Sequence, residues 1–208
     1  MKSIKFRKSY LLLICAVALL SGRAIAQSPL NWEKAQKFDT GVHSSIAILP
    51  SGLVVSFHET DNLTHEISYR IGKVGLTWDD KYYISWSSSH SIDIGGSWPT
   101  VAVTKEGYVV LAYSNSSARS ATTLKYWAGE LDPGGDKSQT ITWRIKEKNY
   151  DSGFHPSLAF NSTGILAEAH ESATGSGIFY RIAHSKNPAA KDFNLVWDSG
   201  DGGVQYLP

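Results

Sequence analysis

Phe38-Asp39-Thr40-Gly41-Val42-His43-Ser44-Ser45-Ile46-Ala47 comes back later in the chain as Tyr150-Asp151-Ser152-Gly153-Phe154-His155-Pro156-Ser157-Leu158-Ala159. Between them stands a third version, Ile92-Asp93-Ile94-Gly95-Gly96-Ser97-Trp98-Pro99-Thr100-Val101-Ala102, one residue longer in its turn. Each block follows a tryptophan. Trp32, Trp86, Trp143 and Trp197 are separated by 54, 57 and 54 residues. Self-similarity at such a period is the mark of a repeat architecture.

The spacings inside a copy separate rigid parts from elastic ones. Ser44, Pro99 and Pro156 lie eight residues before Gly52, Gly107 and Gly164, and those glycines lie six before His58, Tyr113 and His170. Tyr69, Tyr126 and Tyr180 each lie 17 residues before the next repeat tryptophan. Two intervals vary: tryptophan to Ser/Pro (12, 13, 13) and His/Tyr to Tyr (11, 13, 10). Constant spacing implies paired strands, because a one-residue slip would turn every side chain to the wrong face. Variable spacing implies loops.

The constant segments are β-rich. Ser45–Leu49 is followed by Pro50-Ser51-Gly52, a hairpin turn matched by Lys105-Glu106-Gly107 and Ser162-Thr163-Gly164. Leu53–His58, Tyr108–Tyr113 and Ile165–His170 then read as second strands, and Ile67–Ile71, Leu124–Trp127 and Ile178–Ile182 as third strands. Tyr82–Trp86, Thr140–Trp143 and Asn194–Trp197 read as fourth strands, and sustained helical periodicity is absent after residue 26. Four short antiparallel strands in about 50 residues, repeated, predict an all-β β-propeller of four-stranded blades. The copies fall at about 32–85, 86–142 and 143–196, with a fourth starting at 197–208. A closed propeller has about four to eight blades, and an open one leaves an unpaired edge. The expectation is therefore that further sequence, or several chains acting as a homo-oligomer, completes the ring.

Composition narrows the function. The chain has 208 residues, 20 Lys+Arg and 19 Asp+Glu. Residues 1–26 have a basic start, an apolar run over Tyr10–Leu20 and Ala24-x-Ala26, the three parts of a secretory signal peptide. Cleavage is expected after Ala26, giving a secreted or periplasmic product. The run is too short to span a membrane, which takes about 20 residues. The mature chain then holds 15 basic against 19 acidic residues and loses Cys15, its only cysteine. That excludes a disulfide framework, a thiolate nucleophile and cysteine-ligated zinc. Without a basic cluster it also lacks the footprint of a nucleic-acid binder. No cofactor or metal motif is present; His43 and His155, like His58 and His170, occupy matching positions without metal-ligand clustering and read as solvated turn residues.

Asp-x-Gly-x-x-Pro-Ser-x-Ala followed by Gly, Val-Val, His-Glu and Tyr-Arg resembles the repeats of bacterial secreted propellers related to fucose-binding lectins and sialidases. The likeness covers most of residues 32–208. Ser91-x-Asp93-x-Gly95-x-Ser97-Trp98 is similar to the Asp-box of sialidase-like propellers, and the other copies keep only Asp39/Gly41 and Asp151/Gly153. The resemblance implies that Asp39, Asp93 and Asp151 are structural turn residues, their carboxylates accepting backbone N–H bonds.

The His-Glu and Tyr-Arg pairs are the candidate chemistry. Antiparallel pairing is expected to bring Glu59 near Arg70, and Glu171 near Arg181, at one end of each blade. A guanidinium fork, a carboxylate acceptor and an aromatic face suit a sugar, with Trp98 as the exposed aromatic. In the fucose lectins that the chain is similar to, such a set holds a sugar between blades. Copy two has Ser114 and Trp127 at these positions and should lack a site. The structural alternative is an inter-strand ion pair. The leading expectation is a lectin-like glycan-binding protein without catalytic residues. A sialidase-like hydrolase needs three converging arginines, whereas the mature chain has Arg70, Arg119, Arg144 and Arg181, with only Arg70 and Arg181 at matching positions. An adhesive or structural propeller with a protein partner is the third reading.

Overall fold

A computed structural model describes residues 34–61, 64–115, 123–132, 139–186 and 194–198, with the backbone alone at 93, 94, 186 and 194. The leader, Trp32, Arg119 and the Asp93 side chain thus lie outside the described residues. The chain divides into residues 1–35 and 36–208, and all the strands belong to the second part. Among the described residues every regular element is a β-strand and every pairing is antiparallel. No helix there is long and apolar enough to cross a membrane.

Three four-stranded meanders follow the three sequence copies. The first is β1 (Val42–Ile48), β2 (Leu53–Glu59), β3 (Glu66–Leu76) and β4 (Tyr82–Trp86). A short β5 (His90–Gly95) runs back along β3 and delivers the chain to the second meander. That meander is β6 (Ser97–Val103), β7 (Tyr108–Ser114), β8 (Thr123–Leu131) and the start of β9 (Ile141–Phe160). The 20-residue β9 pairs with β8 over its first part and with β10 (Ile165–Ser172) over its second. It therefore opens the third meander, which continues through β11 (Ile178–Lys186) to β12 (Asn194–Trp197). Neither the five-stranded nor the seven-stranded sheet closes on itself among the described residues.

Register is the same in all three units, as the constant spacings require. Ala47↔Val55↔Ile71, Ala102↔Val110↔Ala128 and Ala159↔Ala167↔Ile182 are equivalent rows, and Gly72↔Trp86, Gly129↔Trp143 and Ala183↔Trp197 are equivalent outer pairs. One turn is repeated as well. Gly52, Gly107 and Gly164 hold φ of 81°, 93° and 85° and donate their N–H groups to Leu49, Thr104 and Asn161. Only glycine occupies that left-handed position cheaply.

The core consists of two seams between successive units. In the first, Val55, Phe57, Tyr69 and Ile71 of unit one meet Val101, Val109, Leu111 and Trp127 of unit two. In the second, Val110, Ala112, Tyr126 and Ala128 of unit two meet Leu166, Ala183 and Leu195 of unit three. Period-two alternation gives each sheet two apolar faces, so a central unit packs on both sides. Trp143 and Trp197 each meet the tyrosine of the unit before, Trp143 edge-on to Tyr69 and Trp197 edge-on to Tyr126.

Candidate binding site at the bulges

The expected Glu59–Arg70 and Glu171–Arg181 pairs do not form. Glu59 pairs across the ladder with Ile67 and Glu171 with Ile178, while Arg70 stands opposite Ser56 and Arg181 opposite Glu168. The offset between glutamate and arginine is three positions. An odd offset puts the two side chains on opposite faces of the sheet.

The arginines serve within their own units. Arg70 Nε–H donates to Asp39 Oδ2 and its Nη1–H to the Ser87 carbonyl at 2.8 Å. Arg181 repeats the arrangement, with Nε 2.6 Å from Asp151 Oδ2 and Nη1–H donating to the Tyr150 carbonyl at 2.7 Å. The aspartates also accept backbone N–H bonds: Thr40 N–H to Asp39 Oδ1 at 2.9 Å and Ser152 N–H to Asp151 Oδ1 at 2.8 Å. The Arg70 hydrogen bond holds the Asp39 carboxyl below the usual range, against a smaller opposing effect of burial. His58 Nε2 lies 3.5 Å from Asp39 and His170 Nε2 lies 3.8 Å from Asp151. Both histidines are buried, contrary to their reading as solvated turn residues. Burial lowers the pKa of His58 despite the neighbouring Asp39. Arg144 pairs with Glu130 at 2.5 Å, so Arg70, Arg144 and Arg181 are each tied to a different carboxylate.

A different group of residues converges, through a shared irregularity. Val42↔Glu59 to Ser45↔Phe57, Ser97↔Ser114 to Thr100↔Ala112, and Phe154↔Glu171 to Ser157↔Ala169 each set an extra residue against the partner strand. These are β-bulges, which re-aim a side chain at a strand end. The bulged backbone is left-handed at His43 (φ 50°), Trp98 (φ 55°) and His155 (φ 49°). One column of the repeat alignment thus becomes one structural position.

The first strands of the units lie side by side, β1 next to β6 and β6 next to β9, so these positions come together. Trp98 stands between the two imidazoles, 5.9 Å from His43 and 4.2 Å from His155 by ring centroids. Phe154 lies edge-on to it at 5.9 Å. Behind this row sits Glu59, fully buried. His43 Nδ1–H donates to its Oε1 at 2.7 Å, His65 Nδ1–H to its Oε2 at 3.1 Å, and Trp98 N–H to its Oε1 at 2.7 Å. Ser97 Oγ is 3.1 Å from the same His65 nitrogen. In the third unit Glu171 holds His155 the same way, Oε1 to Nδ1 at 3.0 Å. In the second unit Ser114 replaces the glutamate and donates to the Gly153 carbonyl at 3.2 Å.

This geometry fixes chemistry. A carboxylate at Nδ1 selects the tautomer whose Nε2 is a free acceptor. The row at the surface therefore offers imidazole acceptors on either side of a half-buried indole. His65 is left-handed too, at φ 51°, so three of the six left-handed non-glycine residues described gather around the Glu59 carboxylate, and a fourth, His155, is held by Glu171. Strain of this kind concentrates where function needs a particular side-chain aim. A cleft of about 250 Å³ lined by Phe38, Asp39, Gly41, His43 and His58 adjoins the row. Among the described residues no set of His, Cys, Asp and Glu is arranged to hold a metal ion.

Of the sequence candidates, Trp98, Glu59 and Glu171 belong to this site and Arg70 and Arg181 do not. His43 and His155 entered the sequence reading only as solvated turns, although their alignment with Trp98 was visible. Nothing in the sequence marks His65, which lies in a hairpin outside the repeat pattern. No family model matches the chain, and no curated protein matches it in sequence.

Proposed function

We propose that the chain is an exported, lectin-like glycan-binding protein whose three meanders are blades of a β-propeller. The observation that carries this reading is the convergence of one bulge position from three successive units into a His43–Trp98–His155 row. An aromatic face flanked by fixed hydrogen-bonding groups is the ordinary solution for a sugar, whose C–H face stacks while its hydroxyls pair at the rim. Glu59 and Glu171 act here as positioning residues, aiming imidazoles, and not as direct sugar contacts. The propeller reading rests on identical meanders packed seam to seam with their first strands adjacent. The signal-like leader supports export.

Binding to a glycan array, followed by calorimetry on the sugars retained, tests the reading. Trp98→Ala and His155→Ala lower affinity at least tenfold, about 1.4 kcal/mol, while Arg70→Met leaves the affinity of the folded protein unchanged. Absence of any retained sugar, or equal affinity in Trp98→Ala, would refute it. The hydrolase alternative is weaker, because each described arginine is committed to its own carboxylate.

A further inference from the structure

Each seam joins one kind of face to another. The face carrying Tyr69 or Tyr126 belongs to the earlier unit, and the face carrying Trp143 or Trp197 to the later one. Unit three therefore presents an earlier-type face, and unit one a later-type face. Both are open. Tyr180 is 56% exposed, against 4% for its counterpart Tyr69 and 0% for Tyr126. Ile178 is 67% exposed where Ile67 and Leu124 are 0%. On unit one, Ile46 is 57% exposed where its counterpart Val101 is 6%.

The two open faces carry matching halves of a contact already made inside the chain. In the second seam Tyr126 packs edge-on at 6.1 Å and 6.0 Å against a stacked pair, Tyr150 on Trp197. Unit one has the same stacked pair, Phe38 on Trp86 at 4.5 Å. Unit three has the tyrosine, Tyr180. Hydrogen bonding matches as well. Glu59 is closed off by the Trp98 N–H of the next unit, whereas Glu171, its counterpart, keeps a half-open carboxylate. His43 is the residue of unit one that corresponds to Trp98.

We infer that the open face of unit three is an interface for the first unit of a second copy of this chain. Tyr180 of one copy packs edge-on against Phe38 and Trp86 of the other, and Glu171 accepts the His43 N–H. The occupant is a second copy because this chain itself carries the complementary face, built from the same residues at the same register. The contact is head-to-tail, so it closes only when the rotation returns to its start. Copies added in this way close a ring only when the total reaches about four to eight units. The inference rests on the seams and stands whether or not the bulge row binds sugar.

Light scattering on the purified chain over a concentration series tests it, with two single variants, Ile48→Glu on the unit-one face and Tyr180→Glu on the unit-three face. The wild type has the mass of two or more chains. Each variant alone is monomeric with an unchanged far-ultraviolet circular dichroism spectrum, and mixing them restores two-chain particles, because one pair of faces stays intact. A monomeric wild type up to about 100 μM overturns the inference whether or not the variants fold, and so covers a different partner or a further segment as occupant. A dimer broken by only one variant also overturns it, since that marks a contact of one face with itself.

Discussion

The main-chain N–H of Trp98 donates to Glu59 Oε1 at 2.7 Å, across the seam between the first and second units. A side chain at the end of one sheet thereby satisfies the bulged backbone of the next, and the same carboxylate aims two imidazoles.

Removing that carboxylate takes the acceptor from three donors, the partly buried Trp98 main-chain N–H and His65 among them. Leaving a buried polar group unpaired costs about 1–3 kcal/mol. Glu59→Ala is expected to lower unfolding free energy by about 2–4 kcal/mol in urea titration. Glu59→Gln, which keeps an acceptor for Trp98, should lose about half as much. A loss below about 1 kcal/mol in Glu59→Ala would contradict the role given to this group.

Gly41 and Gly153 sit where a Cβ has no room. At Gly41 it would lie 2.2 Å from the Glu59 carbonyl oxygen and 2.4 Å from His58 Cδ2; at Gly153 it would lie 2.3 Å from the Glu171 carbonyl oxygen and 2.5 Å from His170 Cδ2. Backbone cannot swing aside as a surface side chain can. Gly41→Ala and Gly153→Ala should each cost about 1–3 kcal/mol, read as a lower urea midpoint at unchanged slope.

Acid should weaken the fold in two windows. His58 is buried with its pKa below the usual 6.5, so the unfolded chain binds the proton first and stability drops as pH falls from 6.5 toward the folded value. The Asp39 carboxyl lies below 3.8, so its contribution is present above that pH and is lost as pH falls through the folded value. His58→Gln should flatten the first window in a series of urea titrations from pH 7 to 5. An unchanged slope in that variant would show that another group titrates there.

At high pH the buried Tyr126 hydroxyl, its pKa pushed up by burial to about 12, should titrate after exposed tyrosines. A raised acid stabilises the fold below pH 10 and loses that contribution as pH climbs toward its folded value. Ultraviolet titration should show a late phenolate step coincident with unfolding, and Tyr126→Phe should delay the alkaline transition.

Arg181 separates a sugar ligand from a structural tie. Its guanidinium is engaged by Asp151 and the Tyr150 carbonyl. Arg181→Met should lower stability by about 1–3 kcal/mol and leave any glycan affinity of the folded protein within twofold. Selective loss of sugar binding at full stability would return Arg181 to the binding site.

Much of the fold was legible from spacing. The eight- and six-residue intervals around Gly52, Gly107 and Gly164 reappear as one register in three meanders, because a hairpin with a defined turn admits a single pairing. Spacing failed at the sites for a related reason. Glu59 and Arg70 look adjacent when strand ends are counted from the chain, but the true ladder offset is odd, and alternation sends them to opposite faces. The extra residue at His43, Trp98 and His155 could be aligned in sequence, yet its left-handed backbone could not be read there.

The four-strand unit, its turn positions and the register of its first hairpin were thus written in the amino-acid order, since they depend on local geometry and on a period of two. Which imidazole lies beside the Trp98 indole, and which tyrosine meets which tryptophan, came only from packing one unit on the next. Those contacts join residues far apart along the chain, and only the docked sheets bring them within a few ångströms.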